Sequence, residues 1–219
     1  AFSGFASGLP FFVLVQLIPG WLRSQGVGLK EIGIFALVQL PYVWKFVWSP
    51  LLDRYSLPWL GRRRGWMIVA QICLLAGIVL IGQWEPNVDL GIIMVVAFIV
   101  AFFSATQDIV LDAYRRELLP EIELGLGNAV FVQTYRIAGL IPGTLGFVLS
   151  DHLSWTAVFA IIGSFMLIGI GMTLYIGEAI AHPTPPRTLR QAIVEPFREF
   201  VTRRGWKYAG LALAFMFFY

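Results

Sequence analysis

Six apolar runs of about 20 residues recur along this chain of 219 residues, and they constrain its fold more than any other feature. They span roughly 1–22, 31–52, 65–84, 90–114, 128–150 and 155–177. At 1.5 Å per residue, about 20 helical residues cross a hydrocarbon core about 30 Å thick. The composition agrees: 13% of residues are charged, against about 25% in an ordinary soluble domain. The chain reads as an all-α integral membrane protein with six transmembrane helices.

The turns between the runs orient the bundle. Of 16 lysines and arginines, two (Lys45 and Arg136) lie inside apolar runs. Arg23 and Lys30 occupy the odd-numbered turns, and the other twelve fall in the turns after runs two, four and six. Basic turns stay cytoplasmic, so the N-terminus is expected in the cytoplasm of a multi-pass protein. A net charge of +3 with this distribution speaks for a lipid bilayer and against nucleic acid. The single cysteine, Cys73, lies in an apolar run, and His152 and His182 are isolated, which leaves neither a disulfide framework nor a metal site.

Three domains are expected: residues 1–177 as an N-terminal six-helix transmembrane bundle, 178–204 as a cytoplasmic linker, and 205–219 as the start of a seventh transmembrane helix. Pro183, Pro185 and Pro186 stop run six. Leu189, Ile193, Phe197, Phe200 and Val201 then recur at helical spacing among charges, a pattern suited to an interface, with a bend expected at Pro196. The chain opens at Ala1 inside one apolar run and closes at Tyr219 inside another, and no removable signal peptide is visible, so both ends read as cut.

Ionisable groups at membrane depth are the candidate functional residues, since each costs roughly 2.5–3.5 kcal/mol unless it meets a partner or water. Run four carries Ser104, Asp108, Asp112 and Arg115 on one helical stripe, with Gln107 beside it. Run two carries Gln39, Tyr42, Lys45 and Ser49 on one face, and run five carries Gln133 and Arg136 one turn apart. Counting at 1.5 Å per residue sets Lys45, Asp108 and Arg136 each roughly 10–12 Å inside, and the three stripes are expected to converge on one interior. Two readings stay open: a static ion network that fixes helix packing, or a polar cavity that becomes net positive when a carboxylate is protonated and so accepts an anionic solute. Run five also shows a small-residue face, Gly139, Gly143 and Gly146, that permits close helix approach. Trp21, Trp48, Trp66, Trp84 and Trp155 are expected in aromatic belts at the membrane interfaces.

Six runs, a basic linker and the start of a seventh suggest half of a two-bundle transporter, whose six-helix halves contain inverted three-plus-three repeats. The turn Ser49-Pro-Leu-Leu-Asp53-Arg54 with Gly61-Arg62-Arg63-Arg64 resembles the signature turn of the major facilitator superfamily, with Ser49 where that pattern has Gly and with YSLPWL inserted. SPLLDRY…LGRRRGW, ATQDIVLDAYRRELLP and YRIAGLIPG, in this order, resemble the AmpG-type anhydromuropeptide permeases of bacterial inner membranes. GFASGLPFFVLVQLIPGWL and LRQAIVEPFREF fit the same family, so the resemblance covers essentially the whole chain.

That resemblance implies proton-driven import of GlcNAc–anhydro-MurNAc and its peptides (muropeptides) for peptidoglycan recycling, with an indirect link to β-lactamase induction and so to β-lactam resistance. It implies no cofactor beyond the coupling proton, no enzymatic activity, and a C-terminal half of the same transporter as partner. Asp108, Arg136, Lys45, Gln107, Gln133 and Tyr42 are the expected substrate and proton residues. Asp53, Arg54, Arg62, Asp112 and Arg115 are the expected cytoplasmic gate, with Glu117 a further possible acceptor for the Arg62 cluster. Other readings are a carrier for an anion such as acetyl-CoA, whose family shares an ATQD-like fourth run, a membrane-embedded enzyme of lipid-linked sugars, and a binding-only receptor. DAYR and GRRRGW favour the muropeptide branch over the acetyl-CoA carrier.

Overall fold

Long stretches of Leu, Ile, Val and Phe satisfy their backbone hydrogen bonds internally as helices, the arrangement lipid demands. The computed structural model describes residues 2–55, 57, 61–177 and 189–218, and among them there is no strand, only a single bridge between Leu57 and Gly61. Four helices are long and apolar enough to cross a membrane: Phe2–Ser24, Arg62–Ile81, Pro86–Leu118 and Trp155–Tyr175. Span one comprises α1 (Phe2–Phe12), a π turn at Val13–Leu17 and α2 (Ile18–Ser24). The wide turn lies just ahead of Pro19, which has no N–H to give the carbonyl four residues back.

Spans two and five are not continuous helices, a departure from the six uniform runs expected. Span two is built from α3 (Leu29–Phe35), a 3-10 turn at Ala36–Gln39, α4 (Leu40–Trp44), a second 3-10 turn at Lys45–Val47, and α5 (Ser49–Arg54). Pro41 and Pro50 stand in the first turns of α4 and α5, where a missing N–H is tolerated. Span three is α6 (Arg62–Ile81), and span four is α7 (Pro86–Leu118). Span five consists of α8 (Leu124–Ala138), a π turn at Ile141–Leu145 containing Pro142, and α9 (Gly146–Ser150). Span six is α10 (Trp155–Ser164) with α11 (Met166–Tyr175).

Packing of the spans follows a two-fold pattern. Span one packs on span five, span four on span two, span three on span four, and span six on span one, while spans three and six also meet. Exchanging the first three spans for the last three maps this set of neighbours onto itself. It is the arrangement of an inverted three-plus-three repeat, and the two broken spans occupy equivalent places in it.

Leu9, Leu14, Leu17, Leu74, Ile78 and Ile162 form the bundle core on spans one, three and six. Trp21 belongs to that core rather than to an interfacial belt: it is 1% exposed, with its ring 4.9 Å from Phe159. Beyond span six, residues 178–188, including His182 and the expected stop at Pro183, Pro185 and Pro186, lie outside the described residues. The helix α12 (Leu189–Phe218) departs from helical geometry at Gly205 (φ 80°), not at Pro196.

Candidate functional site

Asp108 sits at the junction of spans one, two, four and five. Ser7 of α1, itself buried, donates its hydroxyl to Asp108 Oδ1. Lys45, Asp112, Tyr42 and Tyr135 all lie within its electrostatic reach. Phe11 of span one stands between the two tyrosines, 5.4 Å from Tyr42 and 5.9 Å from Tyr135 between ring centres. The Tyr42 and Ser104 hydroxyls face each other, and both amide atoms of Gln107 are buried without a hydrogen-bond partner among the described residues. Unmet buried groups of this kind cost about 1–3 kcal/mol each, and they mark a site that water or a solute completes.

Lys45, at the break between α4 and the following 3-10 turn, lines a cavity of about 970 Å³ with Ser49, Asp53, Arg63, Asp112, Arg115, Glu117 and Asn128. α7 leaves helical geometry at Asp89 and runs unbroken over residues 90–118, roughly 43 Å at 1.5 Å per residue. It therefore overshoots a hydrocarbon core of about 30 Å, and its last turns carry Asp112, Arg115 and Glu117 to the end of the bundle that holds the basic turns. There Arg63 bridges two carboxylates: Nη1 lies 2.7 Å from Asp53 Oδ1, and Nη2 lies 2.7 Å from Glu117 Oε1. Arg62 adds a 3.1 Å pair to the same Glu117 oxygen.

Among the expected gate residues, the structure brings Asp53 and Arg62 together around Arg63 and Glu117. Asp112 and Arg115 pair with each other at 2.8 Å on one helix, and Arg115 also lies 4.1 Å over the Phe131 ring. Arg54 stands apart, 5.4 Å over the ring of its neighbour Tyr55. Sequence reasoning took the Arg62 cluster as a whole and did not single out Arg63 as the residue that joins the two carboxylates, although a signal was available. Arg63, Met67, Ala70, Leu74 and Ile78 recur at helical spacing and are all buried, so the inward stripe of α6 begins at Arg63 and not at Arg62. Arg64 has another role, donating to the Thr173 and Leu174 carbonyls at 3.0 and 2.9 Å and so capping the last turn of α11.

Arg136 does not share the Lys45 cavity. It is exposed on α8 and lines a separate cavity of about 420 Å³ between spans one and five, with Gln133 exposed one turn before it. The single interior expected from the three polar stripes is thus two cavities, because Phe11 and Phe12 of span one stand between spans two and five. Lys45 and Arg136 take part in no ion pair among the described residues. Those residues contain no group of three or more His, Cys, Asp or Glu able to hold a metal ion.

The small-residue face of span five is matched by one on span one that sequence reasoning overlooked. A methyl group at Gly4 or Gly8 would run into the backbone carbonyls of Phe131 or Tyr135, so α1 and α8 touch backbone to backbone. This close approach sets Ser7 against Asp108 on one side and Tyr135 beside Phe11 on the other.

Comparison with known proteins agrees with this architecture. The chain is 47% identical over 221 residues to an uncharacterized protein of Haemophilus influenzae, a match that covers 100% of the chain and 52% of the relative. It is 41% identical over 203 residues to the anhydromuropeptide permease of Escherichia coli K12, covering 92% of the chain and 41% of that permease. The chain therefore spans about half the length of the curated relatives it matches. A family model described as Major Facilitator Superfamily matches residues 1–219. Helical throughout its described core, two-fold in its packing and matched along its whole length, this membrane chain belongs to the major facilitator superfamily and fits the N-terminal half of its fold.

Proposed function

We propose that the chain is the first half of a proton-coupled transporter that carries GlcNAc–anhydro-MurNAc and its peptides from the periplasm into the cytoplasm for peptidoglycan recycling. The observation that carries this reading is Lys45, a half-buried cation without an ion pair among the described residues, on a cavity of about 970 Å³ within electrostatic reach of Asp108. A free cation in a partly desolvated site is a receptor for an anion, and muropeptide stems carry carboxylates. The name of the Escherichia coli relative, anhydromuropeptide permease, supplies the substrate class.

In this reading Asp108 carries the coupling proton. Protonation removes a negative charge beside Lys45 and favours the anionic solute; release of the proton on the cytoplasmic side restores the carboxylate and favours release of the solute. Arg63, with Asp53, Glu117 and Arg62, forms the cytoplasmic latch. The basic turns set the N-terminus in the cytoplasm of an inner-membrane protein. The carrier has no enzymatic step.

Uptake of labelled anhydromuropeptide by membrane vesicles holding the full-length protein, with and without a pH gradient, tests the proposal. Accumulation that follows the gradient is expected, and Asp108→Asn abolishes its dependence on pH. Uptake by Asp108→Asn that still follows pH would remove the aspartate from the coupling mechanism.

A further inference from the structure

The cavity at Arg136 has a construction that helix packing alone does not call for. Two aromatic rings frame it, and each is seated on a glycine of the opposite span. Phe12 of span one lies against Gly139 of span five, where an added Cβ would come 3.0 Å from its ring, and Phe147 of span five lies against Gly20 of span one, where a Cβ would overlap the ring. Gly143 clears the same kind of space for the Gln16 amide. Between the rings, Gln16, Arg136 and Thr144 converge on about 420 Å³. None of these three side chains makes a side-chain hydrogen bond or ion pair among the described residues. Close packing of two spans in lipid explains glycines opposite rings, but it has no use for a guanidinium, an amide and a hydroxyl left open in one place.

We infer that this cavity is a sugar subsite, which takes an N-acetylated pyranose with an acyl side chain on its ring. The inference rests on the importer reading and deepens it by separating the sugar end of the solute from the peptide end. A pyranose ring presents apolar C–H faces that lie against aromatic rings, as Phe12 and Phe147 offer. Its hydroxyl and acetamido groups match the donors and acceptors of Gln16 and Thr144, and the carbonyl oxygen of its acyl side chain, an amide once the peptide is attached, accepts from the fork of Arg136. The volume falls within the range of about 300–1,000 Å³ typical of small-molecule sites. Lys45, in the other cavity, is left to meet the carboxylates of the stem peptide. Phe12 and Gln16 thereby become specificity-determining residues for the saccharide.

Uptake kinetics of a labelled disaccharide–tripeptide in vesicles holding the full-length protein decide the matter. Phe12→Leu keeps an apolar side chain and removes the ring; Gln16→Leu removes the amide. Each raises KM about tenfold with Vmax within about twofold, the loss expected for one stacking or hydrogen-bonding contact, and Phe12→Tyr restores the wild-type KM. Unchanged KM with reduced Vmax in both leucine variants overturns the subsite and makes the rings ordinary packing. Lost thermal stability in Arg136→Gln at unchanged KM also overturns it, because the guanidinium then belongs to a carboxylate of the second bundle. Wild-type vesicles that take up no labelled solute sink the importer reading itself, whereas wild-type uptake with unmoved variants sinks only the subsite.

Discussion

Arg62 and Arg63 are adjacent in the chain, yet the helix assigns them different tasks. Arg63 is 5% exposed and joins Asp53 to Glu117, whereas Arg62 pairs with Glu117 at the longer distance of 3.1 Å. Removing one partner of a buried pair costs about 3–5 kcal/mol, because the charge left behind is uncompensated. Arg63→Ala is therefore expected to lower stability by about 3 kcal/mol, the low end, because Arg62 still covers Glu117. Arg54→Ala, whose guanidinium stacks on exposed Tyr55, changes stability by less than about 1 kcal/mol. Thermal unfolding of the purified protein in detergent ranks the two. Lys45 makes the opposite case. With no ion pair to lose, Lys45→Gln leaves the melting temperature unchanged or raised, since it relieves a desolvation cost of roughly 2.5–3.5 kcal/mol. Uptake of the anionic solute falls at least about tenfold, the scale of one charge-assisted contact. A parallel loss of stability and uptake would make Lys45 a structural residue.

Among the elements, spans one and five show how closely two helices can be set when side chains are removed from between them. Gly8→Val would drive a branched side chain into the Tyr135 backbone, which belongs to a helix and cannot swing aside. Overpacking of this kind costs about 1–3 kcal/mol, and displacing α1 also pulls Ser7 from Asp108, so stability and uptake are expected to fall together. Gly33, with nothing within 4 Å of an added Cβ, serves as the control: Gly33→Ala in α3 is neutral or stabilising by up to about 1 kcal/mol. Hydropathy located the spans because lipid rewards apolar length directly. It placed the start of span four at Leu90, next to the break at Asp89, and understated the other end, giving 114 where the helix runs to Leu118, because terminal turns are polar and helical at once. Less was legible where the outcome depends on neighbours. Pro41 and Pro142 were visible, but the 3-10 and π turns around them answer to the helices packed alongside. Trp21 has the composition of a belt residue and the environment of a core residue, and nothing near it in sequence reports Phe159. Similarly, depth counting put Lys45 and Arg136 in one layer, but only the position of Phe11 and Phe12 separates their cavities.

At the scale of the whole molecule, the proposed alternation between two states rests on the two-fold packing and on the ion cluster around Arg63. Spans two and five, the broken pair, occupy equivalent positions in the repeat, and each carries a cavity-lining cation that makes no ion pair among the described residues, Lys45 and Arg136. Breaks at corresponding places in two repeats are where transporters bind and bend. Arg63 and Arg62 both pair with Glu117 in this structure; if the cluster is the proposed latch, a conformation that opens the basic end breaks these pairs. A state that loses such contacts is populated in proportion to their free energy, and about 1.4 kcal/mol shifts the ratio tenfold. Glu117→Gln leaves the geometry in place and removes the charge, and it is expected to favour the conformation open at the basic end. Cysteine accessibility reads this directly in a background where Cys73, the only cysteine, is replaced by alanine. Ser49→Cys reports the Lys45 cavity and Thr144→Cys the Arg136 cavity. Addition of Glu117→Gln should speed labelling at Ser49→Cys and slow it at Thr144→Cys, since one body cannot open both ends to water at once. Rates that rise at both positions would describe a loosened bundle rather than a shifted equilibrium, and the ion cluster would then be a structural clasp with no part in gating.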